Sequence, residues 1–465
     1  MGANAREGLM GYVLAPVILS GAAEWMPHLL QIVLVCLIVV VMVKLALRFG
    51  ADPVQAAFAG LLVVAIPPLL AMASTAMPDV LALALGLAGM EQLLAWKDER
   101  RWYHGVFAAL ALGLAPYARP HYVLLLALGA IWLFDAFNIS KALSQLRRDA
   151  RLWTQILAAA VILLAVNVLT GHRYSGAERN PEVGTSHLLL NLFAYLHYLS
   201  FPFPLAAAWF AVHRRKAKIL LVVFSVPVIA VRFASSPCVS LVQQVELAAI
   251  LFGGAVLVDL IWKCLANRDH VGSLLNLWLL IPLPLIVYAH LPIKYLLASM
   301  PAMVLIVIRL FSGAPRKRAL LTYGTIVVVC AGYSVVLLKA DYDFAEYGRR
   351  AAAELIAPRV GAGENVWYGG DWGFYLYAQE AGARVSRPDQ AGPYPGELLA
   401  IGVMERGDLT LKRFPNRELV DSRSYDSPHG RTMGYGAGLY SNAYGFLSWR
   451  WNPKSTNVYQ LWRVH

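Results

Sequence analysis

Residues 29–47 read LLQIVLVCLIVVVMVKLAL, and this stretch decides the fold class. As an α-helix it extends about 28 Å, close to the roughly 30 Å of hydrocarbon in a bilayer. Apolar stretches of similar length recur at 54–74, 78–95, 102–117, 120–138, 152–170, 187–211, 218–234, 239–262, 274–290, 294–311 and 319–338. The pattern predicts an all-α polytopic membrane domain of about 12 transmembrane helices. Composition agrees: 58% of the 465 residues are hydrophobic and 15% charged, against roughly 45–50% and 25% in soluble proteins. A soluble enzyme and a disordered chain are both excluded.

The formal charge of +12 is carried by the membrane part, because residues 1–340 hold 26 Lys and Arg against 14 Asp and Glu, while residues 341–465 hold 14 of each. Alternate loops collect the positive side chains: Lys44/Arg48, Lys97/Arg100/Arg101, Lys141/Arg147/Arg148/Arg151, Arg214/Arg215/Lys216/Lys218, Lys263/Arg268 and Arg316/Lys317/Arg318. The positive-inside rule makes these loops cytoplasmic and the opposite ones extracytoplasmic. The same rule accounts for the basic balance, so nucleic acid is not expected as a partner. The four cysteines, Cys36, Cys238, Cys264 and Cys330, form no CxxC pair and no disulfide framework.

This orientation divides the chain into three. Residues 1–28 are an extracytoplasmic segment whose apolar run 9–23 is too short to span and lies along the interface. Residues 29–338 are the membrane domain. Residues 339–465 change texture to strand-like runs at 365–368, 397–403 and 458–464, a helical pattern at 374–381 and Gly/Pro/Asn punctuation. They predict a small extracytoplasmic α/β domain. Its glycine-rich stretch Gly434-Tyr-Gly-Ala-Gly-Leu-Tyr440 reads as an ordinary loop, since a phosphate cradle needs a preceding strand and a following helix.

Polar groups at membrane depth cost several kcal/mol unless paired, so they are the first candidates for chemistry. Asp79 follows Met77-Pro78 at the outer start of the third span. It reads equally as a carboxylate favoured at a helix N-terminus and as an acidic group facing a lipid-phosphate pocket. Arg119 and His121 stand in the outer turn Pro116-Tyr-Ala-Arg-Pro-His121, and Lys294-Tyr295 open the eleventh span. These cations suit a phosphate at headgroup depth; snorkelling side chains account for them as simply. The outer loop Gly171-His-Arg-Tyr-Ser-Gly176 adds Arg173, as a substrate contact or a solvated connector. No HExxH, Walker A loop or Cys/His ligand cluster occurs, so no metal-binding residues are expected.

Four stretches carry a family resemblance: Ala76-Met-Pro-Asp79, Leu112-Gly-Leu-Ala-Pro-Tyr-Ala-Arg-Pro120, His290-Leu-Pro-Ile-Lys-Tyr-Leu-Leu-Ala-Ser-Met-Pro301 and Val366-Trp-Tyr-Gly-Gly-Asp-Trp-Gly-Phe374. In their order the chain resembles the protein mannosyltransferase-like (family 39/83) branch of the GT-C glycosyltransferases. The resemblance implies an inverting hexosyl- or pentosyltransferase. It would move a sugar from a polyprenyl-phosphate carrier to a glycan, lipid or protein acceptor on the extracytoplasmic face. It also implies a catalytic acid–base carboxylate: Asp79 is the second-loop acidic group, and Arg119, His121, Arg173, Lys294 and Tyr295 surround the donor phosphate. The family's first-loop Asp/Glu pair serves as base or as ligand of a divalent metal ion. This chain starts near the interfacial helix that follows that loop, with Glu7 as the one acidic residue before it. Glu7 is then the candidate replacement base, and the chain is expected to lack the family's first span.

Two other classes compete. A non-catalytic lipid-linked-sugar binding or assembly subunit would keep the scaffold without the first loop. A secondary transporter would use twelve spans and the intramembrane Glu246, but such transporters are built from repeated halves, and none is visible here.

Overall fold

Two proline pairs and a glycine seam decide how the apolar stretches fold. The computed structural model describes residues 8–19, 25–75, 77–133, 185–199, 253–259, 261, 270–288, 291–370, 373–386, 392–405, 407–434, 436–441, 445, 447–451 and 456–465. Contacts divide the chain into Met1–Ser334 and Val335–His465. The expected spans 152–170 and 218–234 lie outside the described residues, as do Glu7, Arg173 and Glu246.

The first unit is helical: α1 (Gly8–Leu19), α2 (Trp25–Arg48), α3 (Pro53–Ala65), α4 (Pro67–Ser74), α5 (Pro78–Glu99), α6 (Trp102–Ala118), α7 (Val123–Leu133), α8 (Thr185–Tyr198), α9 (His270–Leu279), α10 (Met300–Leu310) and the start of α11 (Arg316–Ala351). Among the described residues four helical segments are long and apolar enough to cross a membrane: Trp25–Arg48, Pro78–Glu99, Ile293–Leu310 and Arg316–Gly361. On α2 the side chains of Trp25, Leu29, Ile32, Val33, Leu37, Val40 and Leu47 are exposed, while Leu34, Ile38, Met42 and Leu45 are buried. An apolar helix with one apolar face left open is suited to lipid as its solvent. The chain is a polytopic helical membrane protein with a small α/β unit at its C-terminal end.

Two of the expected spans are not single helices. The stretch 54–74 bends by 56° between α3 and α4. Pro67 and Pro68 follow Ile66, which is held extended at φ −63°, ψ 122°; a residue before proline is driven from the helical region. The stretch 274–290 leaves the helix at Leu279, and Pro282 and Pro284 turn it into a 3-10 segment, Leu283–Val287. The buried Asn191 of α8 donates to the carbonyls of Ile286 (2.9 Å) and Tyr288 (2.6 Å). Backbone acceptors released from a helix at membrane depth need such a side-chain donor.

Antiparallel α5 and α6 form the central hairpin. It turns at Arg100, which closes α5 in the left-handed region at φ 56° with its N–H on Trp96 O. A Cβ on Gly86 would fall 2.6 Å from Leu125, and one on Gly89 would fall 2.6 Å from the Leu112 side chain and 2.9 Å from its backbone N. Small residues let two membrane helices approach to backbone contact. At the basic-loop end Arg48 of α2 pairs with Asp98 and, at 3.3 Å, with the buried Glu91 of α5, which ties α2 to the hairpin.

The second unit begins within α11, which continues through a π turn (Ala352–Ile356) to Gly361. A five-stranded sheet follows in the order β2 (Arg384–Val385), β1 (Val366–Gly369), β3 (Leu398–Gly402), β7 (Thr456–Val464) and β4 (Arg417–Asp426). β1 runs parallel to β2 and β3, and β7 is antiparallel to β3 and β4. Helix α12 (Gly373–Glu380) and the end of α11 cover one face, where Leu355, Ile356, Tyr368, Phe374, Leu398 and Leu461 are packed. Trp367, Leu399, Ile401 and Val464 occupy the other. The glycine-rich stretch forms a short hairpin, Met433–Gly434 with Ala437–Gly438.

Gly89→Ala is expected to lower thermal stability in detergent by about 1–3 kcal/mol, since the new methyl group meets the Leu112 backbone. Gly324→Ala, whose Cβ would meet nothing within 4 Å, is the control and melts no lower than the parent. Equal melting of the two variants would contradict the glycine seam.

Candidate functional site

The hairpin brings two opposite charges to one end. Pro78 starts α5 and places Asp79 in its first turn, where unpaired N–H groups and the helix dipole favour a carboxylate. Arg119 caps the other helix, with its N–H on Ala115 O at 3.0 Å, where carbonyl groups favour a cation. The Arg119 Nη2 donates to Asp79 Oδ2 at 2.7 Å. Asp79 is 0% exposed, so the pair is withdrawn from solvent.

Arg119 precedes Pro120 and is therefore extended (φ −147°, ψ 116°). Pro120 then opens a 3-10 turn that carries His121 and Tyr122. Tyr122 is buried beside Gly86, whose lack of a Cβ leaves room for the phenol ring. The His121 ring lies 4.7 Å from the Tyr295 ring and 4.9 Å from that of Tyr122. Tyr295 and Lys294 come from the 3-10 segment Ile293–Ser299 that leads into α10. Lys294 is the chain neighbour of Tyr295, whose ring packs on His121. Five sequence-predicted residues thus belong to one end of the hairpin and the segment before α10: Asp79, Arg119, His121, Lys294 and Tyr295. Glu7 and Arg173 lie outside the described residues.

Two further members were not singled out from sequence. Gln31 of α2 is buried and donates through Nε2 to Met77 O at 3.2 Å, two residues before Asp79. A glutamine inside an apolar span was the signal that could have found it. Tyr122 was hidden in an apolar run. Among the described residues, Gln31 Oε1, Asp79 Oδ1, His121 Nε2 and Tyr122 Oη are buried and make no hydrogen bond. Buried polar atoms in proteins nearly always have a partner, so this cluster has hydrogen-bonding capacity for a polar group.

Among the described residues no three His, Cys, Asp or Glu side chains come together, and the carboxylate of Asp79 faces a guanidinium. The cluster instead holds one acid and two strong bases, a balance that favours an anion.

No protein-family model and no curated protein sequence matches the chain. Among solved structures it is similar to the crystal structure of ArnT from Cupriavidus metallidurans bound to undecaprenyl phosphate. The match has 16% identity and a TM-score of 0.37, covering 89% of this chain and 85% of that one.

Arg119→Ala strands a buried carboxylate and is expected to cost about 3–5 kcal/mol of stability. Adding Asp79→Asn should restore a large part of it, as read by thermal unfolding in detergent. A single Arg119→Ala variant that melts like the parent would refute a buried pair.

Proposed function

We propose that this chain is a membrane glycosyltransferase on a GT-C scaffold. It transfers a sugar from a polyprenyl-phosphate carrier to a glycan, lipid or protein acceptor on the extracytoplasmic face of the inner membrane. The observation that carries the reading is the buried Asp79–Arg119 pair with His121, Lys294 and Tyr295 gathered at the same end of the α5/α6 hairpin. An anionic lipid headgroup needs cations at headgroup depth, and glycosyl transfer needs a carboxylate beside them.

In this reading Arg119 and Lys294 hold the donor phosphate and stabilise its charge as it leaves. His121 and Tyr295 flank it. The acceptor oxygen attacks the anomeric carbon from the face opposite the phosphate. The carbon–oxygen bond to phosphate breaks, and a carboxylate takes the acceptor proton. Asp79 has one oxygen on Arg119 and Oδ1 without a hydrogen bond, so Oδ1 is the candidate proton acceptor, with Glu7 as the alternative base. The products are an inverted glycoside and polyprenyl phosphate.

The complete burial of Asp79 also favours a second reading, in which the pair is a structural lock in a non-catalytic subunit that binds lipid-linked sugar. Transfer of radiolabelled sugar from a polyprenyl-phosphate donor in membranes separates the two. Under the transferase reading the parent chain is active, and Asp79→Asn and Lys294→Ala each lose at least about a hundredfold, the scale of one acid–base or charge-stabilising group. Donor bound without transfer supports the subunit. Full activity in both variants would overturn the site.

A further inference from the structure

The C-terminal unit contains a loop pair tied to α11 just past its apolar part. Val335 and Val336 are exposed on the helix, Leu338 is the last residue of the apolar run, and Lys339, Asp341, Tyr342 and Asp343 follow. Thr432 Oγ1 donates to Asp341 Oδ1 at 3.1 Å, Tyr440 Oη donates to Asp341 Oδ2 at 2.6 Å, and His429 meets Asp343 through Nδ1. Segment 447–451 is joined to segment 427–432 by paired backbone hydrogen bonds between Arg431 and Arg450 at 2.9 and 3.0 Å, and by Trp449 Nε1 on His429 O at 2.9 Å. Gly430, at φ +83°, admits this approach: a Cβ there would fall 2.7 Å from both Arg450 O and Trp449 Nε1.

Helical rise converts these ties into depth. Asp341 and Asp343 lie three and five residues beyond Leu338, about 4.5 and 7.5 Å along the axis. The polar layer of each leaflet is about 5–8 Å thick. The aromatic and basic groups at this level are those that concentrate at membrane interfaces. Trp451 is 57% exposed and Tyr342 61% exposed, Trp449 lies 6.2 Å from Trp451, and the Lys339 ammonium sits 5.0 Å over the Tyr342 ring.

We propose that segments 427–432 and 447–451 form a membrane-surface foot, with Trp449, Trp451 and Tyr342 seated in the headgroup layer of the lipid around α11. The partner is the lipid surface itself. A large exposed indole such as that of Trp451 is poorly solvated by water alone, whereas the interface solvates both the ring and its N–H. The foot would hold the C-terminal unit at a fixed height over the bilayer. The inference needs α11 to cross the membrane and does not depend on the transferase reading.

The test uses the full chain in nanodiscs, with Cys36, Cys238, Cys264 and Cys330 replaced and a fluorophore placed through Trp451→Cys, Tyr342→Cys or Ala362→Cys. Ala362 is exposed just past the helix end at Gly361, more than about 30 Å from Leu338 by helical rise. Headgroup spin-labelled lipid is expected to quench positions 342 and 451 about twofold or more above position 362, as belongs to an interfacial site. Position 451 behaving like position 362 would overturn the foot; position 342 doing so would overturn the depth assignment and the foot with it. In the cysteine-intact chain, lipid brominated near its carbonyl groups should quench less tryptophan emission once Trp449→Phe and Trp451→Phe are introduced. An unchanged quenched share would also overturn it.

Discussion

A buried ion pair at membrane depth constrains most of what surrounds it. Asp79 has no exposure and has the guanidinium of Arg119 at 2.7 Å. Withdrawing both charges from water costs several kcal/mol, which only close geometry offsets. That geometry depends on the α5/α6 hairpin, whose two ends must meet at the same level. Gly89 brings the α5 and α6 backbones together, Gly86 leaves room for Tyr122 and Leu125, Pro78 and Pro120 fix where each helix end stops, and the dipoles of both helices favour the charges placed there. The same turn then presents His121 and Tyr122 to the segment bearing Lys294 and Tyr295.

The pair also sets the chemistry available. A lone carboxylate in an apolar layer would neutralise. Paired with one guanidinium group through Oδ2, it keeps a second oxygen without a hydrogen bond among the described residues, next to other buried polar atoms of the same kind. Together with Lys294 this is a polar cluster with an excess of positive charge at one end of a helical hairpin. A phosphate headgroup attached to an apolar chain suits both halves of that environment.

Much of this was legible in the sequence because hydropathy and charge act locally. Strand β3 shows as the unbroken apolar run Leu398–Ile401, and α12 as the pattern starting at Phe374. Strand β4 does not show: Arg-Glu-Leu-Val-Asp-Ser-Arg-Ser-Tyr-Asp is half charged and sits at a sheet edge, where pairing with β7 supplies what the pattern lacks. The broken stretches 54–74 and 274–290 show the opposite error. Their apolar composition suggested single spans, yet Pro67-Pro68 and Pro282/Pro284 remove the donors and restrict the preceding residues. Asp79, Arg119 and Lys294 drew attention as charges out of place. Gln31 did not, being neutral, and its role appears only when α2 lies against the start of α5.

The end of the α5/α6 hairpin and the segment before α10 are proposed as one site for a polyprenyl phosphate. Photo-crosslinking of the full chain in membranes, with a polyprenyl phosphate that carries a diazirine on its first isoprene unit and mapping by mass spectrometry, probes that site. Adducts are expected on the peptides that contain His121–Tyr122 and Lys294–Tyr295, competed by unlabelled polyprenyl phosphate. Specific, competed adducts confined to other parts of the chain would contradict it.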